Sequence, residues 1–468
     1  MAATTYNSST GVSESTAYRT IRPVRNMLFC LACVFVVTVP RAPLAAQQPA
    51  PVLTDEQLLT ITQQRTFEYF WSGAETNSLA ARERIHLDAP QKDQHTVTSG
   101  GTGFGLMAIL VGIERGFVSR HEGVERLARI LGYLQSADRF HGAWPHWLHG
   151  ETGKVRPFSP KDDGGDLVET SFLAQGLLCV RQYFADGNDS ERQLAATADQ
   201  LWRGIEWDWY RGAKRENVLF WHWSPRHDWA MDFRIRGYNE CLITYILAAS
   251  SPTHPIPAEV YHDGWAEGGK IIQPHSEYEI TLPLKHQGVK RYCGPLFWSH
   301  YSFLGLDPHS LKDRYADYWQ LSRDHVRMVR RYCLENPGRF VGYSDKSWGL
   351  TSSYSLRGYR GHRPGNDEGT IAPTAALSSM PYTPQESMKV LRHLYEKHGD
   401  KLFGRYGFYD AFHEGNDWFP PRYLAIDQGP IVVMIENHRT GLLWRLFMSS
   451  PEVKSGLLKL GFTTDSAE

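Results

Sequence analysis

Four acidic residues surround a glycine pair in the segment SPKDDGGDLVET, which spans residues 159–170. Carboxyl groups this close to one another repel when charged, and the repulsion raises the pKa of at least one of them. A carboxyl group that stays protonated near neutral pH can donate a proton to a leaving oxygen, while a neighbouring carboxylate activates water. Hydrolysis of a glycosidic bond needs both groups. Asp162, Asp163, Asp166 and Glu169 are therefore candidates for this chemistry.

The same acids also have structural interpretations. Asp166 can cap the helix that follows it, with Glu169 as its partner in a capping box. Because a capped helix end holds a carboxylate rigidly, capping and catalysis are compatible roles. Asp162 and Asp163 could instead form a turn or a cation site.

Glu240 is the second candidate, in the segment RGYNE at 236–240, directly ahead of the apolar run CLITYIL. A carboxyl group that enters an apolar helix is desolvated, and desolvation raises its pKa. Glu240 is therefore expected to be protonated and to serve as a proton donor. An ion pair with Arg236, one turn earlier, is the alternative.

Several aromatic residues fall beside Gly, Pro and His rather than within apolar periodic runs. An indole or phenol face in such a loop can pack against the C–H surface of a pyranose ring, although some of these rings are expected to be wall packing. The aromatic candidates are Trp144, Trp147, Trp221, Trp223, Trp298, Tyr301 and Trp348, and Arg236, Tyr238, Glu368 and Asp427 complete the predicted substrate-binding set. Glu436, like the last two, is either a ligand of sugar hydroxyls or a satisfied core acid.

The sequence gives little support for a metal or an organic cofactor. His146 and His149 are three residues apart without a third ligand at a recognisable spacing, and His222 stands among tryptophans. These histidines are interpreted as structural or sugar-contacting. The sequence also has no nucleophile elbow, Walker loop or dinucleotide-binding fingerprint. We therefore predict an enzyme that needs no metal and no cofactor.

The elements that must position these residues are mainly helical. Three starts carry capping-box chemistry, at Thr54 to Gln57, Ser119 to Glu122 and Asp166 to Glu169, each ahead of apolar residues at helical spacing. Further helices are predicted at about 102–117, 189–209, 237–250, 257–268, 297–304, 310–335, 370–380, 384–399 and 430–448. Alternating strand patterns are sparse, so strands are expected only as short hairpins.

Twelve helices joined alternately by short and long connections favour an all-α fold. Six helical hairpins closed into a ring form an (α/α)6 double barrel, or toroid, in which the inner helices line a funnel. The long decorated loops on one rim would then form the cleft. A helical solenoid is the competing architecture, but no repeat of about 34 or 40 residues is visible.

The first 46 residues differ from the rest and predict a signal peptide at 1–46. Arg19, Arg22 and Arg25 precede an apolar run from Met27 to Val39, and small residues follow up to Ala46. The run is shorter than the roughly 20 residues that a bilayer-spanning helix needs. We expect cleavage near Ala46, export to the periplasm or the exterior of a bacterial cell, a disordered linker at 47–53 and one catalytic domain at 54–468.

The net charge limits the kinds of partner that this protein is expected to bind, and the cysteine spacing bears on its disulfides. The formal net charge is −1, and Lys and Arg form no runs, so the field that attracts nucleic acid or anionic lipid is missing. A neutral substrate, no nucleic acid partner, no stable membrane insertion and a monomeric state are expected. Beyond the signal segment, Cys179, Cys241, Cys293 and Cys333 form no CxxC pair, and a thiol in an apolar helix usually behaves as a small buried hydrophobe.

Six long segments carry a family resemblance. They are DDGGDLVETSFLAQGLL from Asp162, IRGYNECLITYILAASSPTHPIPAEVYHDGW from Ile235, GPLFWSHYSFLGLDP from Gly294, WGLTS from Trp348, GTIAPTAALSSMP from Gly369 and LAIDQGPIVVMIENHRTGLL from Leu424. From about residue 55 to 462 the sequence resembles the glucoamylase-like hydrolases of glycoside hydrolase family 144, which are endo-β-1,2-glucanases and their sophorose-releasing relatives.

The resemblance implies an (α/α)6 barrel, no cofactor and a neutral β-1,2-glucan substrate. By motif it places the catalytic groups at Asp162, Asp166 and Glu240, and a shift of one residue would put Asp163 in place of Asp162. The resulting hypothesis is that Glu240 protonates the leaving oxygen while the Asp162/Asp166 pair orients water, with inversion at the anomeric carbon. Endo action is the main prediction, and an exo-acting sophorose-releasing hydrolase or a transglycosylase is the alternative.

Two other classes of protein remain as rivals. A polysaccharide lyase would use Arg234 or Arg236 to neutralise a uronic acid and His222 or Tyr238 as its base, and its unsaturated product would absorb in the ultraviolet. A non-catalytic glycan-binding protein would bind glucan without creating new reducing ends.

Overall fold

Helices make up most of the regular secondary structure, because long apolar-periodic segments begin at residues that can cap a helix. The computed structural model describes residues 53–464, so the predicted signal peptide and nearly all of the predicted linker lie outside the described residues. Within residues 53–464, twelve α-helices are present, and none is both long and apolar enough to cross a bilayer. They are α1 Asp55–Trp71, α2 Ser99–Glu114, α3 Arg120–Ser136, α4 Leu167–Phe184, α5 Asp189–Arg203, α6 Leu242–Ser250, α7 Tyr318–Glu335, α8 Pro373–Leu377, α9 Pro384–Leu402, α10 Ala425–Thr440, α11 Leu442–Ser449 and α12 Pro451–Lys459.

Cap chemistry sets the starts of the predicted helices, with one correction. The capping boxes at Thr54 and Ser119 are both confirmed, with each hydroxyl and its partner side chain bonded reciprocally. Asp166 caps α4 as predicted, because one of its oxygens accepts from the amides of Val168 and Glu169. The predicted box is wrong, however, since the carboxylate of Glu169 turns towards α2 instead of back to the cap.

Other boundaries differ from the sequence prediction. The segment predicted at 257–268 contains a π-helix, Val260–Trp265, and that at 297–304 forms two short 3-10 helices, Leu296–Ser299 and Tyr301–Phe303. The helix predicted at 430–448 is interrupted by Gly441, whose left-handed φ of 69° ends α10 before α11 begins. The sequence reasoning missed α12, although Ser450 followed by Pro451 is an N-terminal signal that could have found it.

Helices that are buried on nearly all sides alternate along the chain with helices that bury one face. The buried segments are α2, α4, α6, the two 3-10 helices, α8 and α10. Each follows a segment with a single buried face or a partly exposed surface, in the order α1, α3, α5, the π-helix, α7 and α9. The described residues therefore form an inner and an outer layer of helices.

Glycines allow the closest contact between inner helices. A Cβ on Gly103 of α2 would lie 2.3 Å from the main-chain oxygen of Phe172 in α4. A Cβ on Gly176 of α4 would lie 2.3 Å from the oxygen of Gly103. Only glycine permits this approach, so the crossing fixes α4 and the Asp166 cap at its start.

Short antiparallel ladders connect the helices, as expected from the sparse strand signals. The strands are β1 Arg84–His86, β2 Thr96–Thr98, β3 Trp147–His149, β4 Val155–Arg156, β5 Gly165–Asp166, β6 His222–Trp223, β7 Ile272–Glu277, β8 Ile280–Leu284, β9 Leu311–Lys312, β10 Ser352–Ser355, β11 Gly358–Gly361, β12 Phe403–Gly404, β13 Gly407–Phe408, β14 Arg422–Leu424 and β15 Thr463–Thr464. They form one three-stranded sheet, β2-β3-β4, and pairs β1-β14, β5-β6, β7-β8, β9-β15, β10-β11 and β12-β13. The β5-β6 pair places Asp166 opposite His222.

The four described cysteines are all buried and free. This confirms the interpretation of Cys179 and Cys241 as small buried hydrophobes, although Cys241 lies just before α6 and only Cys179 lies within a helix. Burial raises the pKa of the Cys179 thiol well above its usual value, so this thiol is not a nucleophile at neutral pH.

Candidate active site

Two aspartates and two histidines meet where the β5-β6 ladder ends at the start of α4. The ladder holds His222 with its Nε2 atom 3.1 Å from Asp162 Oδ2 and 3.5 Å from Asp166 Oδ2. From another loop, His146 Nδ1 lies 2.9 Å from the same oxygen of Asp166. The loop, the strand pair and the helix cap thus bring Asp162 and Asp166 together, as the sequence predicts.

Asp166 is fully buried, and both of its oxygens are engaged. Burial by itself raises the pKa of this carboxyl, but hydrogen bonds from His146 and His222 hold it well below its usual range. Asp166 is therefore a permanent anion. Because Oδ1 caps α4 and Oδ2 binds the two imidazoles, its geometry suits the positioning of these histidines better than contact with a sugar.

Both histidines are held in the charged form by the acids around them. Burial lowers the pKa of His146, but Glu169, Asp166 and Asp162 outweigh it and raise the pKa to about 10. Burial likewise lowers the pKa of His222, while Asp162 and Asp166 raise it to about 9. Two imidazolium cations therefore neutralise much of the acid cluster.

The geometry distinguishes Asp162 from Asp163. Asp163 is buried on the other side of the turn, where it accepts from Ser224 Oγ and forms an ion pair with Arg226. Asp162 faces His222 and Asp166 instead, and its Oδ2 atom is buried without a hydrogen bond of good geometry. Asp162 is thus the aspartate of this pair that joins the cluster.

Glu240 lies in the loop just before α6, where its main-chain oxygen accepts a hydrogen bond of 2.5 Å from Ser302 Oγ. Burial, together with the negative charges of Glu169 and Asp166, raises the pKa of the Glu240 carboxyl to about 7. Within the described part of the chain, Arg236 donates to the main-chain oxygen of Asp263 at 3.4 Å, so the alternative ion pair with Glu240 is not formed. Glu240 therefore has a pKa that suits a proton donor near neutral pH, as its sequence position predicts.

Glu169 connects this cluster to α2. Its Oε2 atom accepts from the amide of Gly100 at 2.8 Å and from Thr98 Oγ at 3.3 Å, and its Oε1 atom lies 4.0 Å from His146 Nε2. The free amides in the first turn of α2 carry positive partial charge, which explains why Glu169 turns there instead of completing a capping box.

A second acid pair joins Asp427, in the first turn of α10, to Asp410, in the loop after β13. The sequence reasoning had selected only Asp427. Asp427 and Asp410 hydrogen-bond to each other, and Asp410 Oδ2 accepts from the amide of Tyr354 at 2.6 Å. Burial raises the pKa of Asp410 to about 6 and that of Asp427 well above its usual value, so the two carboxyls share a proton at neutral pH. Burial is the main cause that raises the pKa of the Tyr301 hydroxyl, and the carboxyl groups of Asp427, Glu169 and Glu240 raise it further. Asp410 stands in the aromatic segment GFYDAF, and the rule applied to other acids in aromatic loops could have found it.

Four of the predicted sugar-binding residues are wrong, because their rings are buried. Trp144, Tyr238 and Trp348 are each 0% exposed, and Trp298 is 2% exposed. Trp144 donates to the main-chain oxygen of Leu134, and Tyr238 bonds the hydroxyl of Ser299. These rings form the wall behind the site instead of a surface for the substrate.

Other predicted residues remain accessible around the cluster. Trp221 stacks on His222 with ring centroids 5.8 Å apart, and Trp147 packs edge-on to His146 at 5.7 Å. Trp223 is half-buried on β6. We retain these three as candidate contacts for sugar rings, whereas Tyr301 is 5% exposed and packs against Phe172 and Phe297.

Glu368 and Glu436 each form an ion pair with an arginine. Glu368 is half-buried and lies 3.0 Å from Arg360, so a sugar would have to compete with that ion pair. Glu436 pairs with Arg115 at 2.7 Å and accepts a hydrogen bond from Gln63. Of the two alternatives for Glu436, the structure therefore favours the satisfied core acid.

One group of side chains in the described residues is close enough to hold a metal ion. His146, Asp162 and Asp166 offer ligand atoms that lie within 4.8 Å of one another, whereas His149 stacks on His95. A metal ion would need His146 in its neutral form. The pKa of about 10 that the surrounding acids impose on His146 makes that form rare at neutral pH, so this set fits an ion-pair network better than a metal site.

Known proteins are similar to this chain in sequence and in structure. The sequence model of the Glycoamylase family, described as "Putative glucoamylase", matches residues 232–451. The exo β-1,2-glucooligosaccharide sophorohydrolase of Parabacteroides distasonis is 46% identical over 428 residues, which are 87% of this chain and 58% of that protein. The chain thus spans less than two thirds of the length of this relative.

Two solved structures are similar over most of this chain. An endo-β-1,2-glucanase from Chitinophaga pinensis, in a complex with sophorotriose and glucose, is 61% identical with a TM-score of 0.87, and the match covers 88% of this chain and 99% of that one. A β-1,2-glucanase from Parabacteroides distasonis is 45% identical with a TM-score of 0.83, and the match covers 88% of this chain and 60% of that one.

Proposed function

The chain belongs to the glucoamylase-like glycoside hydrolases of family 144, and from this premise we propose that it hydrolyses internal linkages of β-1,2-glucan. The observation that carries the proposal is the Glu240 carboxyl, which burial keeps protonated near neutral pH beside the Asp162 and Asp166 cluster. The Chitinophaga pinensis protein, whose chain is matched almost end to end, is named an endo-β-1,2-glucanase. That name supports endo action.

In the proposed reaction Glu240 gives its proton to the glycosidic oxygen as the bond from this oxygen to the anomeric carbon breaks. A water molecule on the opposite face forms the new bond to that carbon and loses its proton to Asp162, which gives inversion. Asp166 does not touch the substrate and acts as a positioning residue, because it fixes His222 beside Asp162. Before the next turnover Asp162 releases its proton to solvent and Glu240 takes up a proton from solvent.

The alternation of six buried and six outer helical segments supports an (α/α)6 toroid. An (α/α)6 toroid requires an inner and an outer helix in each of six successive hairpins, and the order described above supplies such pairs from α1 to α10. The fourth and fifth pairs include π-, 3-10 or five-residue helices in place of full α-helices. In this architecture the loops bearing Asp162 and Glu240 share one rim.

The proposed location of the enzyme follows from the N-terminal sequence. The basic and apolar parts of residues 1–46 support export to the periplasm or the exterior, with the catalytic domain at 54–468 acting there as a monomer. A neutral polymer of that environment is a suitable substrate for a chain with a formal net charge of −1.

The second candidate function is end-wise release of sophorose, which the name of the 46% identical sophorohydrolase favours. Mass analysis of products from linear β-1,2-glucan separates the two. A ladder of oligosaccharide lengths is expected for endo action, whereas sophorose alone from the earliest times would replace the proposal with exo action.

The same incubation tests the other rivals. Rising ultraviolet absorbance from an unsaturated sugar would indicate a lyase, and glucan binding without new reducing ends would indicate a non-catalytic protein. Either result would overturn the proposed hydrolysis.

A further inference from the structure

A groove rich in positive charge lies directly beside the loop that carries Glu240. Two adjoining cavities of about 580 and 360 Å³ share Lys290, and we call their combined lining the basic groove. Its cations are Lys285, Lys290, Arg291 and Arg363, and its aromatic residues include Tyr292 and Tyr332. The chain between β8 and Tyr292 forms one side of it.

Direct contacts fix the basic groove against the loop of Glu240. Asn239, the residue before Glu240, donates from Nδ2 to Gln287 Oε1 at 2.7 Å. Tyr238 is paired through its backbone with His286, and their ring centroids lie 4.8 Å apart. The basic groove and the loop of Glu240 are therefore neighbours in the structure.

Most of the positive charge in the basic groove is uncompensated. Lys285 and Lys290 are exposed, and neither forms an ion pair within residues 53–464. Arg363 is half-buried and donates to the main-chain oxygen of Pro364 at 3.3 Å, while Arg291 pairs with Glu277. Because the whole chain has a formal net charge of −1, this local excess does not simply reflect composition. Like charges gathered around a cavity repel one another, and an anion in the cavity would relieve that repulsion.

Tyr292 supplies an aromatic surface at the same place. It has a left-handed φ of 63°, which a bulky residue rarely adopts and which is commonly retained at binding sites. Tyr332 packs edge-on against it with ring centroids 5.2 Å apart, and Gly365 leaves room beside the ring. A sugar ring can pack on such a face while a charged substituent reaches the cations.

We propose that the basic groove binds a phosphate group, carried as a substituent on the glucan that occupies the cleft. Guanidinium and ammonium groups bind phosphate oxygens through charge-assisted hydrogen bonds. This inference rests on the proposed function, and it extends the substrate class from neutral β-1,2-glucan to its phosphorylated forms. The structure thus combines a cleft for neutral sugars with an anion-binding extension.

The test compares neutral and phosphorylated β-1,2-glucooligosaccharides of the same length. We expect the phosphorylated ligand to bind more tightly, and the Lys290→Ala/Arg363→Ala double variant to weaken that binding by about tenfold, as expected for two exposed charge contacts. The preference should shrink as NaCl is raised, because exposed charges are screened. The variant should leave binding and turnover of the neutral ligand within about twofold, as expected for changes outside the catalytic cluster.

Lys389→Ala/Lys454→Ala is the matched control. Lys389 is exposed on α9 and Lys454 is exposed on α12. This double variant also removes two positive charges, but from helices that do not line the basic groove. It should leave binding of both ligands unchanged.

Three results would overturn the proposal. In the first, the unaltered protein binds neutral and phosphorylated ligands equally well. In the second, the Lys290→Ala/Arg363→Ala variant loses the same affinity for both ligands. In the third, inorganic phosphate competes as strongly as the phosphorylated sugar does. The last would assign the groove to a free ion. Binding measured by calorimetry does not need turnover, so failure of the proposed hydrolysis on neutral glucan would be seen separately.

Discussion

At the scale of single residues, the site depends on carboxyl groups whose surroundings give them different charges. Asp166 is kept anionic by His146 and His222, whereas burial keeps Glu240 protonated up to about pH 7. An acid and a base can therefore coexist within one cluster at neutral pH. This difference is the physical basis for the proposed division of roles.

The two neighbouring aspartates should respond very differently to the loss of their charge. Asp162→Asn should lower kcat by about 10²- to 10⁴-fold, because it removes the proposed proton acceptor. Asp163→Asn should mainly loosen the turn held by Ser224 and Arg226, with at most a modest effect on kcat. Steady-state kinetics on β-1,2-glucan checks both, and the reverse order of effects would assign the role to Asp163.

The pKa of Glu240 also predicts the alkaline limb of the pH profile. Because the protonated form is active and the pKa is about 7, kcat/KM should fall as the pH rises above about 7. Stability follows the same direction. A carboxyl whose pKa is raised on folding contributes stability that is fully present below its ordinary pKa and lost as the pH rises through about 7. Rates and melting temperatures measured from pH 5 to 9 would show both effects, and a rate that stayed flat to pH 9 would contradict this assignment.

At the scale of elements, the crossing of α2 and α4 determines where the Asp166 cap lies. Gly103→Ala should reduce the free energy of unfolding by about 1–3 kcal/mol, because its Cβ would meet the main-chain oxygen of Phe172 at 2.3 Å. Gly132→Ala on α3 is the control, since a Cβ there has nothing within 4 Å and should be neutral or stabilising. Denaturant unfolding compares the two variants. A Gly103→Ala variant as stable as the control would show that the crossing relaxes easily.

Local sequence rules predicted helix starts well where a cap acts alone. Thr54 and Ser119 use only their own first turns, so their boxes follow from four residues of sequence. Glu169 does not, because α2 offers its carboxylate a free amide that only the tertiary fold brings near. The break at Gly441 was similarly hidden by an apolar pattern that continues across it.

At the scale of the whole molecule, the predicted family and its helical class are confirmed, but the burial of single rings could not be predicted. A loop beside Gly or Pro can face the cleft, as at Trp221, or lie beneath it, as at Trp144 under the guanidinium of Arg139. Local sequence does not distinguish these cases. The pairing of Asp410 with Asp427 could not be predicted for the related reason that only the fold brings the two residues together.

The ion-pair network predicts an enzyme that is insensitive to chelators. His146 and His222 already supply positive charge beside Asp162 and Asp166, so EDTA should leave kcat on β-1,2-glucan within about twofold. Loss of activity that is restored by a divalent cation would show instead that His146, Asp162 and Asp166 hold a metal.

The most direct test of the account replaces Glu240 by Gln and measures both binding and turnover. We expect Glu240→Gln to bind β-1,2-glucooligosaccharides normally while losing more than about 99% of turnover, because general acid catalysis contributes about 10²- to 10⁴-fold. A substrate with a nitrophenol leaving group needs no protonation, so the loss on that substrate should be much smaller. Glu125→Gln, at an exposed position on α3, is the control and should be fully active. Near-normal turnover of glucan by Glu240→Gln would contradict the central claim that Glu240 donates the proton to the leaving sugar.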